Sequence, residues 1–198
     1  SGLSDSQSVV AGNALAAYVD EGGCVVEMVF SQYQTSFDIA GRWRTENYSC
    51  IAATSAGYSS GAMGTIHVPN HPALEGVGNF TAGNYRTGNT NLLPGATLIA
   101  SYSDNQILVA TREDKAGQVV WLGFYPGQPD QLGGDWQRLL NQSIGWCVQS
   151  FRANPGGPYS IEEGTASIEL DGSASSGEID SYAWDLDNDG DLDAAQGA

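Results

Sequence analysis

Apolar and polar residues alternate along this chain with two periods, one helical and one of strands. Residues 4–22 place Val9, Leu15, Ala16 and Val19 at helical spacing, which predicts an amphipathic helix. Ser4 or Asp5 can accept its free first-turn N–H groups, and Gly22 supplies the left-handed residue that stops it. Residues 24–30 follow at once as a β-rich, nearly continuous apolar run. A helix, a Gly-Gly stop and an apolar strand is the rhythm of a parallel α/β sheet. Residues 31–61 then turn polar without a clear period, which predicts a long surface excursion, functional or holding short elements of its own. Apolar runs return at 62–68, 97–103, 106–112 and 118–124. Turn residues at 104–105 and 115–117 separate the last three, which predicts an antiparallel meander. A second helix is expected over 135–149, with Asp135 as N-cap and Trp136, Leu139, Leu140, Ile144, Cys147 and Val148 on its core face.

The pattern breaks near residue 152. All seven Lys and Arg lie at or before Arg152, whereas residues 153–198 carry eleven acidic side chains and no basic one. A cluster of turn formers, Asn154 to Pro158, sits at the same place, so the chain is read as two domains, 1–152 and 153–198. Within the second, residues 166–171 and 179–184 read as strands. With 41% hydrophobic residues the chain can bury a real core, and 26 glycines suggest many turns. The net charge of −16 argues against nucleic acid, whose phosphates need Lys and Arg, and against anionic lipid. No stretch reaches the ~18 apolar residues of a membrane span, so no membrane insertion is expected. No secretory leader is seen, which reads as a mature form, a fragment or a cytosolic protein.

The acidic excess concentrates in one run. Asp185, Asp187, Asp189, Asp191 and Asp193 occupy alternate positions around Gly190. Such like charges repel unless a cation sits among them. Ca²⁺ suits the site because it takes six to eight oxygen ligands in irregular geometry, while the glycine permits the sharp turn. Asp185, Asp187, Asp189 and Asp193 would coordinate through side chains, and Asp191 through its backbone carbonyl. Gln196 stands where an EF-hand needs a bidentate Glu, and a strand instead of a helix precedes the run. The expectation is a calcium loop on a β scaffold.

Other chemistry is sparse. Cys24, Cys50 and Cys147 have no metal-binding spacing, and an odd count leaves a thiol free or paired outside the chain. Apolar surroundings at Cys24 and Cys147 favour buried free thiols over a single disulfide, and sequence does not choose a pair. None of the three ends a strand at a glycine-flanked elbow, as a nucleophile would. His67 and His71 read as structural, with a His67/His71/Glu75 metal site as the weaker alternative. No catalytic residue is assigned, although paired carboxylates for glycoside cleavage carry no sequence signature. Asn47, Asn79 and Asn141 open Asn-x-Ser/Thr sequons, candidate glycosylation sites in a secretory setting. Trp43, Tyr48, Tyr58 and Tyr85, in the polar excursions, are candidates for stacking on sugars, against the blander reading that they pin loops to the core.

Two resemblances sharpen this. Gly157-Pro-Tyr159, Glu163-Gly164, residues 170–175 and residues 182–190 occur in the order found in the first half of a PKD (polycystic kidney disease) domain, and residues 155–193 resemble it. The resemblance implies an Ig-like β-sandwich, partial at this length, with Ca²⁺ at the Trp-Asp loop, in a secreted or cell-surface protein. Residues 15–23, 71–77 and 118–126 more loosely resemble the class I glutamine amidotransferase-like fold, in its trehalose-utilisation (ThuA-like) branch. That implies an α/β, flavodoxin-like sheet with flanking helices, lacking its opening βαβ unit and its catalytic Cys. The expected function is a non-catalytic extracellular or cell-surface protein, structural or adhesive, stabilised by calcium. Its partners would be copies of itself, completing each other's sheets, or adjoining domains. The alternatives are a fragment of a secreted glycan- or peptide-processing hydrolase, and a carbohydrate-binding module with glycan partners.

Overall fold

The computed structural model describes residues 4–33, 38–53, 56–57, 59–149, 159–160, 169–173, 175 and 184. The chain falls into two compact units, 1–150 and 151–198.

The first unit is mixed α/β. Helix α1 (Asp5–Asp20) opens with a capping box: the Ser4 side chain accepts from the Gln7 N–H, and the Gln7 side chain accepts from the Ser4 N–H. Gly22, at φ +87°, ends it as expected. Its buried face is Ser8, Gly12, Ala16 and Val19: Ala16 and Val19 are buried as predicted, whereas Leu15 is half-buried and Val9 is 40% exposed, Ser8 and Gly12 facing inward in the first turns instead. Small residues win because a backbone segment lies against the helix. The Ser8 hydroxyl donates to the Asp38 carbonyl and accepts from the Ala40 N–H at 2.9 Å. A Cβ on Gly12 would stand 1.8 Å from the Ala40 oxygen.

Strand β1 (Cys24–Met28) follows, then α2 (Arg42–Thr45) and β2 (Ala56–Gly57) within the polar excursion. Next come β3 (Gly61–Ile66), β4 (Phe80–Ala82), β5 (Arg86–Thr87), β6 (Ala96–Tyr102), β7 (Ile107–Arg112), β8 (Gln118–Leu122) and β9 (Leu132–Gly134). Helix α3 (Trp136–Gln149) closes the unit. Seven strands make one sheet in the order β1-β8-β7-β6-β3-β4-β9, and β2 pairs with β5 separately. The β6-β7-β8 meander is as predicted. The parallel rhythm holds only between β1 and β8, with Cys24 opposite Gln118 and Met28 opposite Leu122; the other five neighbouring pairs in that sheet are antiparallel. The short strands β4, β5 and β9 were not foreseen, because two or three residues are too few to show a period.

Side chains fill both faces. On one, Phe80, Tyr102, Val120, Leu122 and Phe124 pack with Leu139, Trp146 and Cys147 of α3. On the other, Ala16 and Val19 of α1 pack with Trp43, Tyr48, Ile51, Val119 and Trp121. Ile144, expected in the α3 core, is 43% exposed; Ser143 is buried instead, its hydroxyl donating to the Leu139 carbonyl at 2.8 Å. Asp135 is the N-cap residue of α3, as expected, its carbonyl accepting from the Leu139 N–H at 2.9 Å, while its carboxylate accepts from the Gly78 and Asn79 N–H groups at 2.8 and 3.1 Å and so anchors a neighbouring loop. The Val148 side chain lies outside the described residues.

Cys24 and Cys147 form a disulfide with Cα atoms 5.3 Å apart. This corrects the expectation of buried free thiols for that pair. Residues 123 apart in sequence meet because β1 opens beside the last turn of α3. Cys50 is free and buried.

In the second unit the described residues are few. The Tyr159 hydroxyl accepts from the Asp171 N–H at 2.6 Å, the Asp171 carboxylate accepts from the Ser173 N–H at 2.8 Å, and the Ser175 N–H donates to the Gly172 carbonyl at 2.9 Å. Tyr159 is therefore tied to the 171–173 segment. Asp185, Asp187, Asp189, Asp191 and Asp193 all lie outside the described residues.

Candidate functional site

Where β1 and β8 end side by side, the chain leaves the sheet through aromatic residues. Phe30 follows β1, and Phe124, Tyr125 and Pro126 follow β8. The carboxyl ends of adjacent parallel strands are where open α/β sheets place ligands, since both chains turn away there and leave a crevice. Phe30 sits at the centre of a ring cluster, with centroids 6.0 Å from Tyr33, 5.5 Å from Tyr85 and 5.0 Å from Tyr125. Tyr85 and Tyr125 meet edge to face at 6.0 Å. All four are partly exposed. Tyr85 is held at φ +56°, a left-handed conformation that a bulky side chain adopts only at a cost, of order 1–3 kcal/mol. The surrounding structure holds that ring in place against a local preference.

A groove of about 400 Å³ leads from this cluster along β1. Leu15, Val25 and Ile39 line it on the α1 face of the sheet and Met28 on the α3 face, and Tyr125 and Pro126 line it as well. Glu27 and Ser31 are the polar residues lining it. Glu27 is only 2% exposed. Its carboxyl accepts from Gln32 Nε2 at 2.6 Å, Trp43 Nε1 at 3.0 Å and the Ser49 hydroxyl at 2.7 Å. Burial pushes its pKa above the usual carboxylate range, and these donors pull against that shift. Burial also pushes the Cys50 thiol well up, with the nearby Glu27 charge adding to it, so Cys50 carries no thiolate for nucleophilic work.

Trp43 is fully buried and Tyr48 is 2% exposed, stacked on each other at 5.7 Å. They pin α2 to the sheet and offer no free face to a sugar. Burial and the Asp20 carboxylate, which accepts from its hydroxyl, push the Tyr48 phenol up to about 12. Tyr85, by contrast, belongs to the ring cluster; Tyr58 lies outside the described residues. His67 Nε2 meets the Ser101 hydroxyl at 3.1 Å. His71 Nδ1 accepts from the Ala73 N–H at 3.2 Å, its ring lies 5.2 Å from Trp146, and burial lowers its pKa. Among the described residues no three His, Cys, Asp or Glu side chains gather to hold a metal. Asn47, Asn79 and Asn141 are all exposed, Asn47 at φ +55°. Asn141 lines a shallow polar depression of about 470 Å³ with Asp135 and Arg138.

Sequence reasoning missed Phe30, Tyr33, Tyr125 and Glu27. The available signal was positional: aromatic residues directly after two apolar runs, and a lone carboxylate inside the first.

No family model matches the chain, and no curated protein matches it. Among solved structures it is similar to one named Cytoplasmic Protein STM3548 from Salmonella typhimurium, at 14% identity and a TM-score of 0.38. The likeness covers 69% of this chain and spans 60% of the length of that protein.

Proposed function

We propose that this is a non-catalytic binding protein of the cell surface or extracellular space. Its first unit would take a sugar ring in the crevice at the ends of β1 and β8. The observation that carries the reading is the Phe30, Tyr33, Tyr85, Tyr125 cluster, with Tyr85 held at φ +56°. Partly exposed rings offer apolar faces that match the C–H face of a pyranose, while phenol hydroxyls reach its hydroxyl groups. The Cys24–Cys147 disulfide supports an oxidising compartment. The amidotransferase-like assignment of this unit draws support from the α1–β1 order and the β1–β8 parallel pair. The second unit, read as a partial PKD-like module with Ca²⁺ at Asp185–Asp193, would serve as a stabilised spacer or adhesion element.

The test is calorimetric titration with neutral β-linked glucose and N-acetylglucosamine oligomers. Binding should weaken about tenfold in Tyr125→Ala, the loss expected when one stacked ring is removed. A folded parent protein that binds none of these oligomers, or a Tyr125→Ala variant that binds as tightly as the parent, would overturn the sugar reading.

A further inference from the structure

The groove also runs beside a sheet edge that no described strand covers. Among the described residues β1 has a single strand neighbour, β8. In a parallel ladder successive residues turn their backbone groups to opposite sides. The Gln118 N–H donates to the Gly23 carbonyl at 3.1 Å, so Gly23, Val25 and Glu27 face β8. Cys24, Val26 and Met28 therefore direct their N–H groups to the other side, away from the sheet. The Met28 carbonyl is taken by the Ser31 N–H and hydroxyl, at 2.9 and 2.8 Å, which closes the edge at its carboxyl end. Four consecutive residues, Val25 to Met28, line the groove, which places it along the strand's edge as well as its two faces.

We propose that this edge takes an extended segment of another polypeptide as an added strand. The main chain of the segment would pair with Cys24 and Val26. Its side chains would alternate between the Leu15, Val25, Ile39 face of the sheet and the Met28 face. Both faces are apolar, so the segment is a short continuous run of β-branched or aliphatic residues, the pattern of a strand buried on both faces. Charge selects its flanks. The protein carries −16, and the exposed Glu21 lies just before β1, so Lys or Arg next to the apolar run is favoured. The same charge disfavours a second copy, which carries −16 as well.

Val26→Pro isolates the edge. It deletes the outward N–H and leaves every β1–β8 bond in place, the position at which a strand tolerates proline. The probe is a capped peptide with a Val-Ile-Val core between lysines. It should slow hydrogen exchange at the Val26 amide of the parent, and Val26→Pro should weaken binding about tenfold, as loss of paired main-chain bonds implies. N-methylation of the peptide at alternate residues should abolish binding in one register and spare it in the other, a check that leaves the protein unaltered. Undiminished binding to Val26→Pro, no exchange protection at Val26, or parent dimers that the variant dissolves would each overturn the proposal. Sugar titration of Val26→Pro separates the two sites, because the substitution leaves all four rings of the cluster intact.

Discussion

At the residue scale, Glu27 concentrates the chemistry of the first unit. Three buried donors converge on one carboxyl, and the desolvated site still raises its pKa. The folded state thus keeps a proton that the unfolded state gives up. Glu27's contribution to stability is present below the unfolded value of ~4.3 and is lost as pH rises through the folded one. Glutamine fits the same place: its oxygen can accept from Gln32 and Trp43, and its amide can donate to the Ser49 hydroxyl. Glu27→Gln should therefore remove this pH slope and be at least as stable as the parent at neutral pH. Glu27→Ala, which leaves three buried donors without their acceptor, should cost about 3 kcal/mol. Urea midpoints of the three proteins at about pH 5 and about pH 8 decide the matter; a Gln variant with the parent's pH slope would refute it. Nothing in the run Cys24 to Met28 announced this role, because the donors come from residues 5, 16 and 22 positions along the chain.

At the scale of elements, α1 shows where local preference and packing part. Helix propensity says that Gly12→Ala should stabilise by about 1 kcal/mol. The tertiary contact says otherwise, since the new methyl would fall 1.8 Å from the Ala40 oxygen. Backbone cannot yield as a flexible side-chain tip can. The segment around Ala40, tied down through Ser8, must move or the helix must lift. We expect Gly12→Ala to lose about 2 kcal/mol, the cost typical of overpacking. A thermal melt that shows the variant unchanged or stabilised would mean that the 38–40 segment does not hold to α1. A cap at Ser4 or Asp5 and the Gly22 stop were legible in sequence because each is a local geometric requirement. The inward face of Ala16 and Val19 was legible too, but that of Ser8 and Gly12 was not, since it depends on a segment some 30 residues away.

At the scale of the molecule, charge is the leading feature, and the proposed calcium site at Asp185–Asp193 rests on it. Residues 153–198 hold eleven carboxylates without a basic residue, and repulsion opposes their compact packing. Ca²⁺ bound to the folded state alone would stabilise it by about 2.7 kcal/mol at a hundredfold excess over Kd. Differential scanning calorimetry should show one transition rise with Ca²⁺. In Asp187→Asn/Asp189→Asn that rise should vanish. The absence of any shift in the parent would make the run a solvated acidic segment.

The sequence by itself determined what neighbouring residues control: the helix ends, the β6-β7-β8 meander with its turns, the compositional break near residue 152 and the alternating carboxylates of Asp185–Asp193. Each is carried by contacts within a few residues, so period, capping and turn chemistry report it directly. Tertiary structure decided the rest. It paired β8 with β1 across the length of the unit and brought Cys24 to Cys147. It buried Trp43 and Tyr48 while leaving Tyr85 and Tyr125 partly exposed, and it gathered Phe30, Tyr33, Tyr85 and Tyr125 at one end of the sheet. Those outcomes depend on which distant surfaces meet, and the hydrophobic effect that drives them is non-directional and marks no particular partner in the chain.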